Sequence, residues 1–176
     1  MARSQPFLSE PEGLAWSGFL RSHALITRQL DADLRAASGL TLSEFEILLH
    51  LAGAGGERRM AQIAHDLVLT GGGVTRIVAR LEKEGLIERR SCPKDGRGIF
   101  AALTPRGRAK QLAAQKVHLE GVRRLLLAHA SDGEIRLLGR LFGRALSAMK
   151  ADGTAGEGPC ALSSTESARP GRNHSG

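Results

Sequence analysis

The sequence predicts a mainly α chain carrying a small β-hairpin, an α+β fold, and three observations carry that prediction. Apolar residues recur at helical spacing in successive stretches from residue 14 to residue 150. Near the middle, two β-prone runs, 86–91 and 98–103, flank Cys92-Pro93-Lys94-Asp95-Gly96-Arg97, and Asp-Gly between such runs is a hairpin signal. Basic residues gather around that hairpin: from Arg58 to Lys110, twelve basic residues face five acidic ones, an excess equal to the +7 of the whole chain.

Taken in order, residues 1–12 contain two prolines and read as a loose N-terminus. A long helix follows over residues 14–37, its apolar side made by Trp16, Phe19, Leu20, His23, Ile26, Leu30 and Leu34, with Gly39 as its stop. Ser43 with Glu46 fits a capping box at the start of the next helix. Leu42, Phe45, Ile47, Leu48, Leu49 and Leu51 make that helix apolar on most sides, which places it at the centre of the fold.

The next two helices are short and closely linked. Met60, Ile63, Ala64 and Leu67 form one stripe, and Val68-Leu69-Thr70 joins it to the stripe Val74, Ile77, Val78 and Leu81. Thr70 suits the N-cap of the second helix. Its polar face holds Gly72, Gly73, Thr75, Arg76, Ala79, Arg80 and Lys83. The Gly71-Gly72-Gly73 triplet is a poor helix start, which suits a site needing bare backbone close to a phosphate or base edge. Two helices joined by a short link and followed by a hairpin are the order of a winged helix-turn-helix, a module that reads DNA.

After the hairpin, Thr104-Pro105 starts another long helix, to about residue 128, because proline at the first helical position forfeits no hydrogen bond. Ser131 with Glu134 caps the last helix, to about residue 150, which carries Ile135, Leu138, Leu141, Phe142, Ala145, Leu146 and Met149. The first and last helices carry more apolar surface than a small winged helix covers, so they predict association with a second copy. Residues 151–176 are Gly- and Ser-rich with few large apolar residues, the composition of a disordered tail.

Composition excludes several classes. At 176 residues and 41% hydrophobic content the chain suits one domain with a core. No apolar run approaches a membrane span, and residues 1–10 do not resemble a signal peptide. Two cysteines, Cys92 and Cys160, make no disulfide framework, so a cytoplasmic protein is expected. There is no Gly-x-Ser-x-Gly, no phosphate-binding loop with its Lys and no pair of histidines at metal-ligand spacing, so neither enzyme activity nor a cofactor or metal is expected. Cys92 lies near Arg90 and Lys94, cations that lower a thiol pKa, but an unreactive cysteine at a strand end is the simpler reading.

Val74-Thr75-Arg76-Ile77-Val78, with Leu81-Glu82-Lys83-Glu84-Gly85-Leu86-Ile87-Glu88-Arg89-Arg90, resembles the recognition helix and first wing strand of the MarR family, the multiple-antibiotic-resistance regulators. Asp95-Gly96-Arg97 followed by Leu103-Thr104-Pro105-Arg106-Gly107 resembles that family's wing. The resemblance covers roughly residues 14–149, and the glycine triplet departs from it, since the family more often has Ser or other polar residues there.

The resemblance implies a homodimeric transcription repressor on a pseudo-palindromic operator, associated with the bacterial nucleoid and released by a small aromatic or lipophilic effector. Within residues 13–150, about 40–104 would read DNA, while about 14–37 and 105–150 would form the dimer, and residues 57–59 would add a third strand to the wing. Phosphate contacts are expected from Arg80, Lys83, Arg89, Lys94 and the backbone at Gly72 and Gly73, and base contacts from Thr75 and Arg76. Arg97 resembles the arginine that enters the minor groove, and Asp95 the acid that holds it. Trp16, His23 and His50 would line an effector pocket, although Trp16 serves equally as dimer core. The alternative to operator recognition is a winged-helix interaction protein using its basic face on acidic partners.

Overall fold

A computed structural model describes residues 7–66, 71–91 and 99–151. The described elements are α1 (Glu10–Ser38), α2 (Leu42–Gly53), β1 (Glu57–Arg59), α3 (Met60–Asp66), α4 (Gly71–Lys83), β2 (Ile87–Ser91), β3 (Ile99–Leu103), α5 (Pro105–Leu125), a 3₁₀ turn (Leu127–His129) and α6 (Asp132–Ala151). This is the mainly α, winged arrangement expected, including the third strand at β1.

α1 starts four residues earlier than its apolar stripe suggested. Ser9 caps it: its N–H and hydroxyl both donate to Glu12 Oε2, at 2.8 and 2.6 Å. Pro11 falls in the first turn, where the missing N–H costs nothing. Gly39 ends the helix in the left-handed region at φ 71°.

The cap of α2 also differs from expectation. Thr41, not Ser43, is the N-cap: Thr41 Oγ1 accepts from the Glu44 N–H at 3.1 Å, and Glu44 Oε2 accepts from the Thr41 N–H at 2.8 Å. Asp31 of α1 fixes the same turn by accepting from the Leu42 N–H at 2.8 Å. Glu46, freed from capping, is half-buried, and desolvation raises its carboxyl above the ordinary 4.5.

The three-stranded antiparallel sheet runs β1-β3-β2, with Arg58 opposite Ala101 and Arg89 also opposite Ala101. Ala101 turns its small side chain into the core beneath it, and Ala102 is also buried. α2 is central, as its all-round apolarity predicts: Phe45, Ile47, Leu48 and Leu51 are wholly buried against Leu34, Ile63, Val78 and Leu81. Ala114 closes the core from α5.

α1 and α5 cross where Gly121 meets Leu30; a Cβ on Gly121 would lie 2.5 Å from Leu30 Cδ2. α5 ends at Leu125, short of residue 128, because the chain tightens into the 3₁₀ turn. α6 has no extensive packing against any other described element. Its Phe142 ring meets Phe19 of α1 at 5.7 Å, while Leu137, Leu141, Leu146 and Met149 stay exposed. Among the described residues, no helix is long and apolar enough to cross a membrane.

Candidate nucleic-acid interface

α4 presents the interface because its inner stripe is satisfied. Val74, Val78 and Leu81 are buried in the core, and Ile77 packs against it. At 3.6 residues per turn this turns Thr75, Arg76, Ala79, Arg80 and Lys83 outward, and all five are exposed. Gly72 and Gly73 lie in the first turn, where backbone N–H groups have no helical acceptor. Gly85, at φ 67°, ends α4's excursion and turns the chain into β2.

The cations of this face divide by their partners. Arg80 Nε lies 3.1 Å from Glu44 Oε1 and 3.1 Å from Glu84 Oε1. Arg89 Nε pairs with Glu82 at 3.2 Å, tying β2 to α4. Arg90 pairs with Glu88, and the Arg59 guanidinium covers the Phe100 ring at 5.3 Å. Arg76 and Lys83 enter no ion pair among the described residues. A cation left unpaired beside a helix N-terminus is available to a polyanion. Lys94, Asp95 and Arg97, expected at the wing tip, lie outside the described residues, as do Cys92 and the expected cap Thr70.

The module sits on a firm base. Thr104 Oγ1 accepts from the Gly107 N–H at 3.0 Å and donates to the Gly85 carbonyl at 2.8 Å, so one hydroxyl caps α5 and holds the end of α4. The Thr104 N–H donates to the Leu86 carbonyl at 3.1 Å.

Three kinds of comparison agree with this geometry. The MarR family model matches residues 38–98, which run from the end of α1 into the hairpin. The HTH-type transcriptional regulator YkoM of Bacillus subtilis is 29% identical over 100 residues, a match spanning 57% of this chain and 64% of YkoM. AbsC, a MarR family transcriptional regulator from Streptomyces coelicolor, superposes with a TM-score of 0.77 at 27% identity over 84% of this chain and 99% of AbsC. Sco3205 from the same organism, a MarR family regulator solved in complex with DNA, gives a TM-score of 0.77 at 26% identity over 85% of this chain and 94% of Sco3205. The chain is similar to MarR family regulators, in sequence over residues 38–98 and in fold over most of its length.

The residues expected to meet an effector fall in two settings. Trp16 and His23 lie on the exposed side of α1, bridged by Phe19, whose ring is 5.9 Å from Trp16 and 6.2 Å from His23. His50, by contrast, is 2% exposed within α2. A ligand touching all three would have to extend from the helix surface into the core. Sequence reading missed His118 of α5, whose ring lies tilted 4.9 Å from that of Phe45. Burial lowers its pKa from the ordinary 6.5 by disfavouring the charged ring. It also missed Glu44, which joins α2 to Arg80, although Thr41-Leu42-Ser43-Glu44 carries a capping-box pattern of its own.

The family whose model matches residues 38–98, like the solved structures AbsC and Sco3205, is one of transcription regulators. Among the described residues, no three His, Cys, Asp or Glu side chains gather into a set able to hold a metal ion.

Proposed function

We propose that this chain is a sequence-specific, DNA-binding transcription regulator that works as a homodimeric repressor without catalysis. The observation carrying the reading is the outward face of α4, where exposed Thr75, Arg76 and Lys83 lie beside Arg80 on a helix whose other side is locked in the core. Arg76 and Thr75, near the helix N-terminus, read base edges. Arg80, Lys83, Arg89 and Lys94 contact phosphates, together with the N–H groups at Gly72 and Gly73. Arg97, oriented by Asp95, enters the minor groove at the wing tip.

The dimer forms through α1, α5 and α6. The apolar residues Leu14, Trp16, Leu20, Leu141, Leu146 and Met149 are exposed in the single chain and are covered by a second copy. Two α4 helices then address two half-sites of a pseudo-palindrome. A small aromatic or lipophilic effector meets Trp16, His23 and His50 and releases the DNA. The protein acts in the cytoplasm, on the nucleoid.

Selection of bound sequences from random duplex DNA tests the reading. Enrichment of an inverted repeat, with affinity falling steeply as salt rises, is the expected result. Binding to acidic proteins with no preference among duplexes would replace it with the interaction-protein reading.

A further inference from the structure

Three capping boxes of the same chemistry occur in the described chain, and one is built differently. At Ser9–Glu12 and Ser131–Glu134 the cap residue's N–H and hydroxyl both bond to a single carboxylate oxygen, and both pairs are exposed at the surface. At Thr41–Glu44 the cap occupies only Oε2, at 2.8 Å, and Oε1 faces Arg80 Nε at 3.1 Å. The Glu44 side chain is 3% exposed. Capping does not require that burial, as the other two boxes demonstrate, and a buried carboxylate is costly unless its charge is met. Arg80 meets it across two helices, 36 positions along the sequence from Glu44.

Arg80 is half exposed, in the row of Arg76 and Lys83. Its Nε lies between the two carboxylates: its one hydrogen is donated to Glu84 Oε1 at 3.1 Å, and Glu44 Oε1 is ion-paired with it at 3.1 Å. Glu84 lies in the turn just past the end of α4 and is partly solvated, so it cannot tie α4 to the core. A guanidinium held at Nε keeps the rest of its rigid donor fork for another anion.

We propose that Glu44 is a positioning residue for DNA binding: its buried carboxylate holds the Arg80 guanidinium by Nε, fixing α4 to α2 and presenting the remaining donors to a backbone phosphate. This rests on the DNA-binding function proposed above. Arginine suits the task and lysine does not, because one ammonium on a flexible stem cannot reproduce the planar fork that joins two anions in a fixed geometry.

The test measures affinity of the full chain for random-sequence duplex DNA, since a phosphate contact acts on every sequence. Glu44→Gln keeps an oxygen to accept the Thr41 N–H and removes the charge. It is expected to weaken binding about five- to tenfold, and to add nothing further in an Arg80→Ala background, because residues acting through one another are not additive. Arg80→Lys is expected to weaken binding to a similar degree although it retains the charge. Glu12→Gln, the same change at an exposed box, is expected to leave affinity unaltered. Thermal unfolding of each variant confirms that the comparison is made on folded protein. Equal losses from Glu44→Gln in both backgrounds, or Arg80→Lys binding as well as the parent chain, would overturn the proposal while leaving DNA binding intact. A parent chain that binds no duplex would overturn both.

Discussion

Gly107 lies so close to Leu86 that a Cβ built on it would stand 1.9 Å from the Leu86 carbonyl oxygen and 2.8 Å from its carbonyl carbon. Both obstacles are backbone, at the junction where α4 has ended and β2 is about to begin. The contact lets the Thr104 hydroxyl reach the Gly85 carbonyl while the Thr104 N–H reaches Leu86.

Gly107→Ala must therefore push α5 away from the base of the wing, and neither side can yield by a rotamer change. Overpacking costs about 1–3 kcal/mol, with the upper end expected against rigid backbone. Chemical denaturation should show the loss as a lowered midpoint with an unchanged slope. DNA affinity should fall as well, since the wing would be displaced relative to α4. A midpoint equal to that of the parent chain would mean that the approach is looser than the structure has it.

Two half-buried titratable groups predict how stability varies with pH. His118 Nδ1 is buried with no hydrogen-bond partner among the described residues, and burial depresses the ring's pKa. A depressed histidine means that the unfolded chain takes up the proton first. Its stabilising contribution is complete above 6.5 and is lost as pH falls from there through the folded value. Glu46 behaves oppositely. Its folded pKa is raised by burial, so its contribution is present below 4.5 and is lost as pH rises through the folded value. Glu46→Gln should thus raise the melting temperature at neutral pH by a few degrees, the gain vanishing in acid, and His118→Gln should flatten the decline between neutral pH and mild acid. Melting curves across a pH series check both signs.

Local signals in the sequence were enough for much of this architecture, and the exceptions share a cause. The stripe Val74, Ile77, Val78 and Leu81 identifies the inner face of α4 without knowledge of its partner, because burial obeys the helical period. The Ser131–Glu134 box and Pro105 likewise act within one turn. The start of α2 is different, since Thr41–Glu44 and Ser43–Glu46 are equally good capping patterns two positions apart. What selects Thr41 is remote: Asp31 accepts the Leu42 N–H, and Arg80 meets the Glu44 carboxylate. The early start of α1 was hidden for another reason, since Pro11 reads as a breaker until Ser9 is seen to cap the turn that contains it. For the interface, periodicity assigns the outward residues of α4, but not which of its cations are already occupied. That Arg80 is engaged, while Arg76 enters no ion pair among the described residues, is visible only once folding brings Glu44 near.

The terminal helices predict assembly. Phe142 and Leu146 lie on the face of α6 that the rest of the chain leaves largely uncovered, at 43% and 50% exposure. Full burial of a large apolar side chain contributes about 1.5–3 kcal/mol, so Phe142→Ala with Leu146→Ala should weaken a dimer by roughly a hundredfold or more. Sedimentation velocity at micromolar concentration should show the parent chain as a dimer and the double variant shifted to monomer. If the parent chain sediments as a monomer, the two-half-site geometry is wrong.

The recognition helix separates reading from anchoring. Arg76 stands in the first half of α4, and Lys83 is its last residue, two turns further on. Both are exposed and, among the described residues, neither is held in an ion pair. A helix lying in the major groove directs its N-terminal residues at base edges and leaves its C-terminal end beside the backbone. Arg76→Ala should then cost roughly 1–3 kcal/mol on the selected operator and relax the preference at one position of each half-site, with a smaller effect on random duplex. Lys83→Ala should weaken operator and random duplex alike and lower the slope of log affinity against log salt by about one unit per site. Binding curves for both variants on both duplexes, across a salt series, distinguish the two roles. Should Lys83→Ala change which sequence is preferred while Arg76→Ala depresses both affinities equally, α4 enters the groove by the opposite end.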